Sequence, residues 1–101
     1  MKTRIVNLGW TESEITEQLT TLSAEGFRVV AIERDPSANN LIASAEKADG
    51  PLPLTFRVLN LFGNPDSWQP EIDAAISAGY SLAFFKPLPA QITCVFVPST
   101  T

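Results

Sequence analysis

The strongest constraint on this chain is its internal periodicity. Displaced along itself by 53 residues, residues 1–48 fall on residues 54–101 without a gap. Arg4, Asn7, Leu8, Gly26 and Pro36 then meet Arg57, Asn60, Leu61, Gly79 and Pro89. Identities are few, but residue character keeps phase. Ile5-Val6 meets Val58-Leu59, Ile15 and Leu19 meet Trp68 and Ile72, and Leu41-Ile42-Ala43 meets Cys94-Val95-Phe96. Self-similarity at such a period marks a duplicated supersecondary unit that cannot bury its apolar face alone. Ala48-Asp49-Gly50-Pro51-Leu52-Pro53 separates the copies with breaker chemistry. The expected organisation is a single domain, 1–101, built from repeat 1 (1–48) and repeat 2 (54–101) with linker 49–53. Neither copy is large enough to fold securely alone.

Each copy reads as strand, helix, strand, strand. In repeat 1, Lys2–Leu8 is rich in β-branched residues. Thr11 offers an N-cap, with Glu14 three residues on as its reciprocal partner. Ile15, Leu19 and Leu22 follow at i, i+4 and i+7 and share one helix face. Gly26 supplies the left-handed stop, and Phe27 beside it can fold back on Leu22. Arg28–Arg34 and Leu41–Lys47 then form an antiparallel hairpin across the turn chemistry of residues 35–40. Repeat 2 follows the same plan. Phe56–Phe62 is its first strand, and Asn64 caps a helix with Pro65 at the first position. Pro70 would delay the regular helix to Gln69. Trp68, Ile72 and Ile76 share its apolar face, and Gly79 ends it. Tyr80–Lys86 and Ile92–Pro98 close the copy around Pro87-Leu88-Pro89-Ala90. The predicted class is α+β: two tandem β-α-β-β units forming a mostly antiparallel sheet with two helices on one face, ferredoxin-like in outline. Strand order stays open.

Composition narrows the function classes. Among 101 residues there is no histidine and one cysteine, and the net charge is −4. The commonest general base and metal ligand is therefore missing. The acidic balance disfavours nucleic acid as a partner, because phosphate binding needs a basic face. The five glycines are isolated and build no phosphate loop. No segment reaches the ~20 apolar residues of a membrane span, and the N-terminus carries no signal-peptide run. The expectation is a soluble cytoplasmic protein without cofactor, metal or catalytic residues. Cys94, mid-strand with nothing to activate it, reads as a buried inert thiol. Glu12, Glu14 and Glu17 read as solvated charges at a helix N-terminus, as do Asp66, Glu71 and Asp73.

Around Ala24-Glu25-Gly26-Phe27-Arg28-Val29-Val30 the chain resembles short uncharacterised bacterial and phage domains. Those carry an amphipathic helix, an "LxxxGWE(L/V)V" phrase and a β-hairpin. Leu22, Gly26, Val29 and Val30 fit the phrase, and Gly79 and Leu82 fit it more loosely in repeat 2. Phe27 and Tyr80 stand where the pattern has Trp. The resemblance implies the strand-helix-hairpin fold in two copies. It implies no activity and no catalytic residues.

Alternation along the strands points to an interaction surface. In repeat 1, Arg28, Val30, Ile32 and Arg34 fall on one face, and Val29, Ala31 and Glu33 on the other. In repeat 2, Leu82 and Phe84 oppose Ala83 and Phe85, while Cys94 and Phe96 oppose Val95 and Val97, so both faces are apolar. One helix covers one face, and the other then needs a partner. The candidate interface residues are Phe84, Phe85, Val95, Phe96, Val97 and the loop residue Trp10. The leading expectation is a non-catalytic interaction protein that self-associates as a homo-oligomer and binds a protein partner. A second is a small anionic-ligand binder using the matched Arg4, Arg57, Asn7 and Asn60, since paired arginines can clamp a phosphate or carboxylate. A third is a histidine-free enzyme.

Overall fold

A computed structural model describes residues 2–38, 40–53, 55–88 and 91–99. The order of elements is β1 (Thr3–Gly9), α1 (Glu12–Ala24), β2 (Phe27–Arg34), β3 (Leu41–Lys47), β4 (Arg57–Leu61), α2 (Pro65–Ser77), β5 (Tyr80–Pro87) and β6 (Ile92–Pro98). The fold is α+β, built of two β-α-β-β units. The chain divides into two compact units, Met1–Leu54 and Thr55–Thr101.

Within each unit the strand order is 1-3-2: β1-β3-β2 in the first and β4-β6-β5 in the second, all pairs antiparallel. The first two strands of a unit are therefore parallel to each other, with the third between them. A parallel connection needs a crossover, and the helix provides it. The short hairpin after the second strand then lays the third strand into the gap. The described strands pair inside their own unit, in two three-stranded sheets rather than a single one. Three of the four edge strands are irregular. Register shifts interrupt β1 between Asn7 and Gly9, β2 between Val29 and Ala31, and β5 between Leu82 and Phe84. A bulged edge is a poor template for another strand.

Local chemistry sets the helix ends. Thr11 accepts from the Glu14 backbone at 3.2 Å, and Glu14 returns to the Thr11 backbone at 3.3 Å, which completes the capping box. Asn64 caps α2 through the Ser67 backbone N–H. Contrary to the expectation drawn from Pro70, α2 is regular from Pro65. The missing Pro70 N–H removes one hydrogen bond near the helix start, and the ring lies exposed. Gly26 (φ 86°) and Gly79 (φ 99°) both take the left-handed conformation after the helix. A Cβ at Gly26 would also lie 2.8 Å from Lys47 Nζ.

The displacement of 53 carries α1 onto α2 and β2 onto β5, including the bulged residues Val30 and Ala83. It fails at the third strand. Arg34 pairs with Leu41 and Pro87 with Ile92, so the second hairpin loop is two residues shorter. Leu41, Ala43 and Ala45 therefore correspond to Ile92, Cys94 and Phe96, not to the residues matched by the ungapped alignment.

With these residues equivalent, the two cores show an exchange of volume. In the first unit Leu22 of α1 packs with Phe27 and the small Ala45 of β3. In the second unit the equivalent cluster has the small Ala75 on α2 and the large Phe96 on β6. Bulk lost on the helix is regained on the strand, as close packing requires. Truncating Phe96→Ala should cost about 3–5 kcal/mol, because Ala75 cannot fill the void. The double substitution Ala75→Leu/Phe96→Ala rebuilds the pairing of the first unit and should regain roughly 1–3 kcal/mol of that loss. Urea unfolding of the two singles and the double measures the coupling.

Candidate functional site

The four polar residues proposed for anion binding do not converge within a unit. Arg4 pairs across the ladder with Ala45, and Arg57 with Phe96, so both arginines stand on the helix side of their sheets. Asn7 pairs with Ile42 and Asn60 with Thr93, on the opposite side. A spacing of three along a strand separates side chains to two faces. The arginine–asparagine spacing already carried that signal.

Their contacts are structural. Arg4 forms an ion pair with Glu25 and lies over the Phe27 ring at 4.2 Å. Lys47 Nζ approaches the same ring at 5.1 Å and donates to the Glu25 carbonyl at 2.8 Å. Two cations thus close the C-terminal end of α1, where the helix dipole is negative. Arg57 forms no ion pair with a described residue. Asn7 Oδ1 accepts from the Gly9 N–H at 2.9 Å. Asn60 Oδ1 accepts from the Thr93 hydroxyl at 2.8 Å, and that hydroxyl in turn accepts from Gln91 at 3.2 Å. This relay satisfies the buried Gln91 and Thr93.

A cleft of about 410 Å³ adjoins Asn7 and is lined by Leu8, Gly9, Glu14, Glu17, Gln18 and Asn40. Hydrogen bonds from the Thr11 side chain, and then from the backbone of Thr11 and Trp10, hold the Glu14 carboxyl below its ordinary pKa. The cleft is therefore negatively charged at neutral pH, which disfavours an anion beside Asn7. Among the described residues no grouping of acidic or cysteine side chains could hold a metal ion. No helix among them is long and apolar enough to cross a membrane.

The proposed interface residues separate into two groups. Phe96 is fully buried under α2, and Val95 is buried on the other side of the same strand at 1% exposure. Neither lines an open face. Val58 and Thr93 share the side of Val95 and are also buried. Phe84, Val97 and Trp10 are half-buried. Phe85 is 42% exposed and stands on the helix side, edge-on to Trp68 with ring centroids 6.5 Å apart. The bulge at Ala83 accounts for the reversal. It puts Phe84 opposite Val95 and Phe85 opposite Cys94, one step out of simple alternation. In the first unit the bulge at Val30 does the same. Phe27, Val29 and Ile32 face the helix, while Arg28, Ala31 and Glu33 face away.

Two apolar surfaces result. One runs along α2 and β5 of the second unit. Ile76 (52% exposed), Leu82 (42%) and Phe85 stand out, beside half-buried Trp68, Ile72 and Tyr80. Sequence reasoning placed Ile76 in the core stripe, but steps of four residues drift by about 40° each. The stripe equivalent to Ile15, Leu19 and Leu22 is Trp68, Ile72 and Ala75, and the place of Ile76 is held by half-buried Ser23 in α1. Sequence reasoning missed the second surface. It is the bare side of the first sheet, where Ile5 (66% exposed) stands beside Ala31, Ile42 and Ser44 over a shallow depression of about 80 Å³. The exposure of Ile5 was hidden because β1 read as one mixed strand without a partner register.

Comparison with protein-family models, with curated proteins and with solved structures finds no match to this chain.

Burial pushes the Cys94 thiol up to about 11. The thiolate is the reactive form, so Cys94 should resist a thiol reagent at pH 8 in the native protein and react fully in denaturant. Titration of free thiol with and without urea checks this.

Proposed function

We propose that this chain is a non-catalytic interaction protein that self-associates through an apolar face and holds a protein partner in the same way. The observation that carries this reading is the α2–β5 surface. Ile76, Leu82 and Phe85 are exposed together beside a half-buried Trp68. Exposed apolar side chains grouped in this way mark interaction sites, and a tryptophan among them is a common anchor. The surface differs from the apolar sheet face expected from alternation, but its role is the same. The acidic chain with no histidine and a buried thiol supports a binding role over catalysis. A lone cysteine needs no oxidising compartment, and a cytoplasmic location is part of the proposal. By analogy with other short acidic proteins, we propose an accessory or inhibitory factor.

The anion-binding alternative has weaker support, since each arginine stands on the opposite side of its sheet from the matched asparagine.

Light scattering coupled to size-exclusion chromatography, run from micromolar to millimolar chain, tests the reading. The wild type should gain mass with concentration. Ile76→Lys should raise the apparent dissociation constant at least about tenfold. Lysine suits the last turn of a helix, and repeat 1 already has polar Ser23 at this place, so the variant should fold. A wild type that stays monomeric throughout rejects self-association.

A further inference from the structure

We infer that the β1 edge of the first unit takes up an extended, acidic segment of a partner protein as an added antiparallel strand. This edge is a different surface from α2–β5, and its use does not depend on self-association.

The ladder fixes which backbone groups of β1 are on offer. The Lys47 N–H donates to the Lys2 carbonyl at 3.0 Å, so Lys2 and Lys47 form a hydrogen-bonded pair. Such pairs alternate along an antiparallel ladder, and the next are Arg4 with Ala45 and Val6 with Ala43. Thr3, Ile5 and Asn7 therefore turn their N–H and C=O groups away from β3. The Ala48 N–H turns the other way, to the Gly26 carbonyl at 2.9 Å, which keeps the same alternation along β3. No described strand lies beyond β1. Thr3, Ile5 and Asn7 are all exposed. The register shift in β1 comes only after Asn7, so this stretch is unbroken. Three donors and three acceptors in extended spacing match the backbone of another extended segment.

The other edges offer less. β2 and β5 are bulged in mid-strand. The Leu88 N–H donates to the Gln91 carbonyl at 2.7 Å, which sets Gln91, Thr93 and Val95 toward β5. Arg57, Leu59 and Leu61 then bond β6, and the edge groups of β4 belong to Val58 and Asn60. Val58 is buried and Asn60 half-buried.

Charge selects the partner. Lys2 stands opposite Lys47 and shares the helix side of the sheet with Arg4. Glu25 stands against these three cations, paired with Arg4. The helix side of this edge is thus cationic in a chain of net charge −4. An incoming strand is held best by acids opposite Lys2 and Arg4 and a β-branched residue opposite Ile5. A second β1 is a poorer occupant. Set antiparallel about Ile5, it brings Lys2 and Arg4 of both copies to one side of the junction.

Fluorescence anisotropy with a labelled peptide, Thr-Val-Val-Glu-Thr-Glu, tests the inference. Antiparallel to β1, its residues lie opposite Asn7, Val6, Ile5, Arg4, Thr3 and Lys2 in turn. Wild type should bind it with a Kd below about 1 mM. N-methylation of the third and fifth residues blocks amides that face β1 and should weaken binding at least about tenfold. N-methylation of the second and fourth, whose amides face away, should leave binding unchanged. Lysine in place of both glutamates should weaken it roughly tenfold. Ile5→Pro removes an outward N–H and spares the ladder to β3, a place where an edge strand accepts proline. It should keep the wild-type circular dichroism and lose the peptide; Thr3→Pro serves if it fails to fold. Ile76→Lys should bind the peptide like wild type, which separates this result from self-association. The inference is overturned by a wild type that does not bind at about 1 mM. Equal affinity for the two N-methylated peptides, or peptide binding by folded Ile5→Pro, overturns it as well. A lysine peptide that binds as tightly rejects the acidic partner. Slower hydrogen exchange at the Ile5 N–H as protein concentration rises, without peptide, identifies a second copy on the edge and rejects it too.

Discussion

Everything in this fold depends on setting a three-residue helix stripe against alternate residues of the third strand. In the first unit, Ile15, Leu19 and Leu22 are buried on α1, and Leu41, Ala43 and Ala45 are buried on β3. The helix has period 3.6 and the strand period 2, and only a strand in the middle of the sheet meets the stripe along its length. The order 1-3-2 provides that strand. The crossover helix links the outer strands and covers the central one. The glycine that stops the helix then aims the chain into the second strand. The Ala48 N–H bonds the Gly26 carbonyl at 2.9 Å, and the Ser99 N–H bonds the Gly79 carbonyl at 2.8 Å, so both units lock this corner alike.

The two units fill that shared frame with different side chains. Volume moves between helix and strand, from Leu22 with Ala45 to Ala75 with Phe96. The cation-covered ring of Phe27 becomes Tyr80, and the place of Lys47 is taken by Pro98. Such changes keep the backbone plan while altering what each unit shows to its surroundings. The first unit hides its helix side and leaves Ile5 exposed; the second hides Val58 and Val95 and leaves Ile76, Leu82 and Phe85 exposed. An apolar surface of that kind is costly in water unless it meets another surface, and that is the ground on which a binding role is proposed.

Much of the architecture was legible from residues that act locally. Thr11 with Glu14, Asn64 with Pro65, and Gly26 with Gly79 each act within a turn of themselves. The helix boundaries follow from them. β3 and β6 were delimited to the residue because turn chemistry bounds them on the N-terminal side, with partial alternation running through β3 and a continuous apolar run through β6. The candidate surface was harder to read. It depends on which side each β2 and β5 residue faces, and one bulged residue at Val30 or Ala83 reverses that for everything beyond it. The same limit misplaced Phe85 and Phe96, and a two-residue difference in hairpin length misaligned the third strands.

By itself, the sequence determined the number and kind of elements, their caps and stops, the duplicated plan and the absence of histidine chemistry. These are properties of residue type and short-range spacing. Only the tertiary structure decided the strand order, the bulges, the separation of the strands into two sheets and the identity of the apolar side chains left in water. Those depend on register between segments far apart in the chain. A strand's period of two makes a single-residue shift exchange its buried and exposed faces.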